Sequence, residues 1–275
     1  MSNSKLSYGT FKPGIPYLRF GGGPKTLLLL AGGPGNVVPK GFGASGFTRG
    51  MAPFTPEYTI YLVTRKSGLP QGYTTKNMAD DYAELIRQEF GGRVDLVVGA
   101  SYGGLIGQHL AADHPDLFGH LVIAMAAHRI SEAAKRIDAR YAELISQRRD
   151  REAMALRAEA VLPEGVLRRV LKAVLWVFGK PLLGPIDDTF RRDVVVEARA
   201  ELAHDALDSL SRINVPVLLV GSDDDFAFPP SYMQEMAALI KNATLKVYRG
   251  GHTAAFLDKR FVGDVREFTS RTGRN

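Results

Sequence analysis

Residues Val94–Gly104, with the sequence VDLVVGASYGG, decide the fold of this chain. An apolar run ends at Gly99, and a helical pattern begins directly after Ser101. The spacing Gly-x-Ser-x-Gly predicts a sharp turn between a strand and a helix, with the serine hydroxyl lifted clear of the sheet. Gly99 and Gly103 are needed because neighbouring backbone must pass close to such a turn. Taken alone, the motif also fits an ordinary strand-to-helix turn with a capping serine.

The composition limits what the chain can be. It has 275 residues, of which 45% are hydrophobic and 23% charged, enough for one α/β domain with an insertion. There are no cysteines, which excludes disulfides and thiol nucleophiles and suits a reducing compartment. Residues Met1–Tyr8 lack the apolar core of a signal peptide, so we expect a cytoplasmic protein.

The charge pattern bears on partners. The net charge of +6 comes from basic residues that are scattered among acids, so we expect no nucleic-acid partner. The longest apolar runs are far too short to span a bilayer, and we expect no membrane partner. A small-molecule substrate is the expected partner, and the sequence leaves the oligomeric state open.

Short buried strands alternate with helices along the first half of the chain. Apolar runs predict strands at 25–30, 58–64, 94–98 and 121–126, and helical patterns lie at 77–90 and 103–113. Tyr17–Phe20 predicts a short edge strand before them. This order predicts an α/β fold with a doubly wound, mostly parallel sheet, which binds ligands at the carboxyl ends of its strands. The loop Ala31–Gly35 and Ser101 both follow strand ends, so they can share one site.

The pattern changes between His128 and Arg212. Charged, alanine-rich helical stretches replace the strands, at 131–147, 150–161, 164–178 and 188–211. Strands resume at 215–220 and 244–248, and a last helix follows at 259–270. We therefore expect a core in two parts, residues 1–128 and 213–275, with an all-helical cap inserted at 129–212. The stretch 164–178 has an apolar face that we expect to pack against the cap or the core.

A serine nucleophile needs a base, and the base needs an orienting carboxylate. His252 lies on a glycine-flexed loop after the last predicted strand, and this position favours it as the base. His128 lies just past the end of an earlier strand, where it is expected to line the site. Three acids, Asp223, Asp224 and Asp225, follow the strand at 215–220, where an orienting carboxylate is required.

Together these residues resemble the α/β-hydrolase fold superfamily, whose triad runs in the order Ser, Asp, His. The resemblance extends from Tyr17 to the last helix and implies a triad of Ser101, an aspartate and His252. In the family the strand before the acid commonly reads Pro-x-Leu-x-x-x-Gly-x-x-Asp-x-x-x-Pro. Laid on Pro216 and Pro229 without a gap, this pattern implies Asp225. Matching Gly221 instead implies Asp224, which stays the alternative acid.

The loop Ala31–Gly35, with the sequence AGGPG, resembles the His-Gly-Gly-Pro-Gly loop of the prolyl-iminopeptidase-like branch. The resemblance implies an oxyanion hole built from the backbone N–H groups of Gly33 and Tyr102. Two departures weaken assignment to that branch. Ala31 replaces the histidine, and Thr64–Pro70 departs from the branch's Asp-x-Arg-Gly-x-Gly-x-Ser segment.

The resemblance implies a serine hydrolase that cleaves an ester, lactone or related acyl bond of a small, partly hydrophobic molecule, without a metal or other cofactor. Alternatives are an acyltransferase, lyase or cyclase of the same fold, an aminopeptidase of the iminopeptidase kind, and a ligand-binding protein without turnover. An aminopeptidase would need acidic cap residues to hold the substrate amine, for which Glu197 and Glu201 are candidates. The expected pocket lining is Gly32, His128 and Phe226, with further apolar surface from Phe228 and Trp176.

Overall fold

The computed structural model describes residues 6–162, 164–179 and 186–271. The first five residues of the stretch Met1–Tyr8 lie outside the described residues, as do Pro163 and residues 180–185 of the predicted insertion. Among the described residues, no helix is long and apolar enough to cross a lipid bilayer.

One eight-stranded sheet forms the centre of the protein. Its strands are β1 (Ser7–Thr10), β2 (Pro16–Gly21), β3 (Lys25–Leu30), β4 (Tyr58–Val63), β5 (Val94–Ala100), β6 (Phe118–Ala124), β7 (Val217–Ser222) and β8 (Ala243–Tyr248). They lie in the order β1-β2-β4-β3-β5-β6-β7-β8. The pairs β1–β2 and β2–β4 are antiparallel, and all other pairs are parallel. The doubly wound, mostly parallel sheet predicted from the sequence is confirmed.

Helices cover both faces of this sheet. The helices of the described residues, including those between β6 and β7, are α1 (Gly41–Met51), α2 (Thr75–Glu89), α3 (Tyr102–Asp113), α4 (Glu132–Ser146), α5 (Asp150–Val161), α6 (Val166–Phe178), α7 (Asp188–Leu202), α8 (Pro230–Leu239), α9 (Ala254–Leu257) and α10 (Phe261–Arg271). One apolar core lies beneath α2, α3 and α8, and a second beneath α1 and α10. Successive residues of β3 enter opposite cores, which explains why its sequence is a continuous apolar run.

The winding of the sheet reverses at β3. The strand pairs with β4 on one side and with β5 on the other. In sheets of this kind, the loops that follow the two strands at such a reversal open a crevice at the carboxyl edge. The loops after β3 and β5 are those that contain Gly33 and Ser101.

Two elements at the start of the chain differ from the sequence prediction. The edge strand predicted at Tyr17–Phe20 is wrong, because β2 is paired on both sides and β1 forms the edge. β1 has four residues, Ser-Tyr-Gly-Thr, too few and too polar to give an apolar signal. Helix α1 was not predicted, because it contains four glycines and has no capping side chain.

Four helices, α4 to α7, lie between β6 and β7, in the segment that the sequence assigns to the insertion; we call them the cap helices. The helix predicted at 188–211 ends at Leu202, where the N–H of His204 donates to the carbonyl of Glu201 and closes a turn. The apolar face of α6 was predicted to pack against the cap or the core. That prediction is wrong for much of the face, since Val166, Leu167 and Phe178 are 66–75% exposed.

Candidate active site

Ser101 alone forms the turn between β5 and α3. Its φ of 51° lies in a region that residues other than glycine rarely adopt, so the turn is strained. Two backbone hydrogen bonds hold it: the Ser101 N–H donates to the Ala124 carbonyl at 2.9 Å, and the Gly104 N–H to the Ser101 carbonyl at 2.7 Å. The local fold thus presents the serine at the carboxyl edge of the sheet.

The glycines around the turn are needed for close packing of backbone. A Cβ built on Gly99 would lie 2.6 Å from the carbonyl oxygen of Gly103. One built on Gly103 would lie 2.1 Å from the carbonyl oxygen of Leu30. The close approach predicted from the motif is confirmed at both positions.

His252 lies between Ser101 and Asp225. Its Nε2 is 3.2 Å from the Ser101 Oγ, and its Nδ1 is 2.9 Å from the Asp225 Oδ2. An ionised carboxylate can only accept, so Nδ1 carries the proton and Nε2 is left to accept from the serine hydroxyl. The imidazole is also stacked on the ring of Phe228, with centroids 5.7 Å apart.

Asp225, rather than Asp224, meets the histidine. The Asp225 side chain is 1% exposed, and its other oxygen accepts from the N–H groups of Ala227 at 2.9 Å and Phe228 at 3.1 Å. These two donors fix the carboxylate while one oxygen faces the ring. Asp224 is exposed at the surface of the same loop.

Two hydrogen bonds join the loop that carries the acid to the loop that carries the histidine. The Gly250 N–H donates to the Asp223 carboxylate at 2.8 Å, and the Asp224 N–H donates to the Gly250 carbonyl at 3.0 Å. Gly250 has a φ of 126°, which favours glycine. The Asp223 carboxylate therefore helps to fix the spacing of the two loops.

The glycine loop after β3 lies beside Ser101. A Cβ on Gly32 would lie 3.1 Å from the Cβ of Ser101, and Gly33 has a φ of 65°. Tyr102 is the first residue of α3, so its N–H has no acceptor within the helix. In the described part of the chain, no group accepts a hydrogen bond from the N–H of Gly33 or Tyr102.

A buried ion pair between Arg65 and Glu197 binds the backbone of this glycine loop. The Arg65 guanidinium donates to the carbonyls of Ala31 at 2.8 Å, Gly33 at 2.5 Å and Gly35 at 2.5 Å. It also pairs with Glu197 of α7 at 3.1 Å, and the Glu197 carboxylate accepts from the Gly35 N–H. Burial disfavours the charged guanidinium, but the adjacent carboxylate outweighs it, and the pKa of Arg65 is raised.

The sequence interpretation missed this pair. Arg65 lies in the segment that departs from the iminopeptidase-like motif, and Glu197 was a candidate for binding a substrate amine. The signal was an arginine directly after a buried strand, where a cation is costly without a partner. Because Glu197 is fully occupied by Arg65 and Gly35, it is not available to an amine.

A cavity of about 270 Å³ opens beside Ser101 and His252. Gly32 and Phe226 line it, as expected, and so does Phe228. His128 does not: it is fully buried, and its ring packs against the ring of Tyr232. Trp176 also lies elsewhere, because its side of α6 faces outward.

Three charged groups that the sequence did not place together also line the cavity: Asp138 of α4, Arg157 of α5 and Glu201 of α7. Burial raises the pKa of both acids, and the negative charge of Asp138 adds to the shift at Glu201. Within the described residues, neither carboxylate accepts a hydrogen bond. The sequence signal for Asp138 was an acid inside an otherwise apolar stripe of a cap helix, between Ala134 and Tyr141.

Among the described residues, no group of three or more His, Cys, Asp or Glu side chains is arranged to hold a metal ion.

Comparison with known proteins places the chain in a family. The model of the alpha/beta hydrolase family matches residues 27–264, so the chain belongs to that family. The family resemblance inferred from the sequence is thereby confirmed, and with it an enzyme of the alpha/beta hydrolase kind. Among curated proteins, "Putative carbamate hydrolase RutD" of Serratia proteamaculans is 27% identical over 209 residues, covering 70% of this chain and 71% of that protein.

Solved structures share the fold over almost the whole chain. The enol-lactonase from Burkholderia xenovorans LB400 is 22% identical with a TM-score of 0.72, covering 96% of this chain and 100% of its own. The malate-bound thermophilic esterase from Thermogutta terrifontis is 22% identical with a TM-score of 0.69, covering 98% and 99%. At these identities the likeness concerns the fold.

Proposed function

We propose that the protein is a serine hydrolase that cleaves an ester, lactone or related acyl bond of a small, partly hydrophobic molecule. The observation that carries the proposal is the continuous set of hydrogen bonds from Ser101 through His252 to Asp225, beside a cavity. The strained turn at Ser101 supports it, because strain at a non-glycine residue persists where function requires it. The names of the carbamate hydrolase, enol-lactonase and esterase relatives also favour attack on a carbonyl.

In the proposed reaction, His252 removes the proton of the Ser101 hydroxyl as the oxygen attacks the substrate carbonyl. Asp225 holds the ring and stabilises the imidazolium. The N–H groups of Gly33 and Tyr102 donate to the oxyanion, and one such donor is worth about 10²–10³ in rate. The leaving group takes the proton from His252 and departs. Water then loses a proton to the same ring and attacks the acyl-enzyme, which releases the acid and restores Ser101.

The first test is covalent labelling. A fluorophosphonate probe should modify the wild-type protein and fail to modify Ser101→Ala, since the phosphonyl group replaces the hydroxyl proton. Circular dichroism of both proteins checks that the variant is folded. An unlabelled, folded wild-type protein would remove the acyl-enzyme from the proposal. Labelling without turnover of activated esters would favour the acyltransferase, lyase or cyclase alternatives, or ligand binding without turnover.

The second test separates the two candidate acids. Asp225→Asn should lower kcat by about 10⁴, because the amide would favour the wrong tautomer of His252. The matched control, Asp224→Asn, changes an exposed neighbour on the same loop and should lower kcat by less than about tenfold. The reverse order of effects would assign the role to Asp224.

A second candidate function is hydrolysis of an acyl compound that carries an amine, as in an aminopeptidase. It is favoured by Asp138 and Glu201, two cavity carboxylates without hydrogen-bond donors. A protonated amine would supply donors and charge to both. Glu201→Gln should then lower kcat/KM more than tenfold for esters of amino acids with a free amine, and less than twofold for neutral acyl esters. Equal effects on both substrates would exclude this candidate.

A further inference from the structure

The outward face of α6 concentrates exposed apolar side chains. Seven of the thirteen large apolar side chains that are exposed among the described residues lie on this one helix. At about 100° per residue, six of them fall within an arc of about 120°; these six are Val166, Leu167, Val170, Val174, Val177 and Phe178. Single exposed apolar residues are common, but a continuous patch usually marks a surface that binds something.

Within residues 6–162, 164–179 and 186–271, nothing covers this face. The six side chains of the arc stay 46–75% exposed. The face is therefore open to a partner on the part of the protein that the structure describes.

The charges beside the patch indicate what covers it. The sequence of α6, VLRRVLKAVLWVF, contains three bases and no acid. Arg169 lies about 60° around the helix from Val166, outside the apolar arc, and is exposed. Arg151 stacks over Trp176 at 4.9 Å on the same flank. Of the other two bases, Lys172 is paired with Glu159, and Arg168 donates to a backbone carbonyl.

An apolar stripe that is flanked by exposed bases, here Arg169 and Arg151, is typical of a helix that lies in the interface of an anionic membrane. A second copy of the chain fits less well, because its own α6 contains no acid that could pair with Arg169. The attraction between Arg169 and negatively charged lipid headgroups favours a lipid surface over a second copy of the chain. We propose that the outward face of α6 docks the protein onto anionic lipid surfaces.

Docking through α6 would bring the lipid close to the cavity. The helix packs on α5, and α5 supplies Leu156, Arg157 and Ala160 to the cavity lining. A membrane on the far side of α6 thus lies one helix away from the candidate active site. This proposal goes beyond the proposed function and replaces the expectation, drawn from the sequence, that the protein has no membrane partner.

The chain contains one tryptophan, Trp176, and it lies on the flank of the patch. Its emission should shift to the blue, and the protein should sediment with vesicles, when phosphatidylglycerol is mixed into phosphatidylcholine. Val170→Glu and Val174→Glu together should reduce the bound fraction at least tenfold, and Arg169→Glu should reduce it severalfold. The matched controls, Leu239→Glu and Val247→Glu, change residues of similar exposure elsewhere, 44% and 41%, and should bind like wild type.

Three results would overturn the proposal. The first is no binding to either kind of vesicle. The second is equal binding to phosphatidylcholine alone, which would remove the part played by charge. The third is a concentration-dependent dimer, seen by analytical ultracentrifugation, that is lost when Val170 and Val174 are replaced; this would assign the face to a second copy. Because all readouts are of binding, they are independent of hydrolytic activity.

Discussion

Replacing Glu197 by glutamine should uncouple the glycine loop from the cap. The change keeps the size of the side chain and one acceptor for the Gly35 N–H, but it removes the negative charge beside Arg65. Breaking one partner of a buried ion pair costs about 3–5 kcal/mol. Because Arg65 keeps three carbonyl acceptors, we expect a cost at the lower end of this range, a decrease of about 3 kcal/mol in the free energy of unfolding.

The effect on catalysis should exceed the effect on stability alone. If Arg65 holds the carbonyls of Gly33 and Gly35 less firmly, the Gly33 N–H is no longer kept in position to donate to the oxyanion. Complete loss of one donor costs about 10²–10³, so partial loss should lower kcat about 10–100-fold with little change in KM. Urea denaturation measures the stability, and hydrolysis of an activated ester well below the denaturation midpoint measures kcat and KM.

The cap contains a matched control. Asp150 of α5 and Arg191 of α7 form a second buried ion pair, with contacts of 2.6 and 3.1 Å. Asp150→Asn should lower the free energy of unfolding by a similar amount and leave kcat within about threefold of wild type. If Glu197→Gln were destabilised like Asp150→Asn but kept its full kcat, the positioning role of Glu197 would be refuted.

Three further changes test other parts of the structure. Gly103→Ala should destabilise the protein by several kcal/mol in a urea titration and abolish labelling of Ser101, because the new Cβ lies 2.1 Å from a carbonyl oxygen. The control Gly107→Ala, whose Cβ has its nearest contact at 3.4 Å, should be tolerated in the same titration. Glu201→Gln should be more stable than wild type at pH 8 by a larger margin than at pH 5. Burial raises the pKa of Glu201, so the folded wild-type protein holds this proton more tightly than the unfolded chain and loses stability as pH rises. A pH series of unfolding curves should therefore show a flatter slope for the variant. His204→Gln should lose less stability than wild type between pH 6.5 and about pH 3. Burial lowers the pKa of His204 from 6.5 to about 3, so the wild-type protein loses stability as pH falls through that interval. Equal acid sensitivity of variant and wild type would contradict this.

The sheet and the three central side chains could be predicted because their signals are local. Parallel strands bring their carboxyl ends to one edge, so residues that follow different strands meet without any knowledge of packing. The choice between Asp224 and Asp225 rested on the spacing of two prolines. In the structure the chain turns so that only Asp225 has its side chain buried against the histidine.

Other features could not be predicted because they depend on contacts between distant segments. Arg65 and Glu197 are separated by 132 positions, and neither has a local pattern that names its partner. The placement of His128 failed for a related reason. It follows a strand end, but its side chain turns away from the cavity to pack against Tyr232. Periodicity identifies an apolar face on α6, yet it does not say whether anything lies against that face.

The acidic side chains of α7 bond this helix to the core, which distinguishes it from the outer cap helix α6. Asp193 binds the N–H groups of Gly68 and Leu69 in the loop after β4, and four residues later Glu197 binds Arg65. Swinging α7 away would break these buried bonds, so we expect this helix to stay with the core throughout turnover. Helix α6, on the outside, carries no such constraint on the glycine loop. We therefore expect that substitutions in the outer cap helices, during evolution or by design, can change the substrate range while the proposed machinery for acyl transfer remains in place.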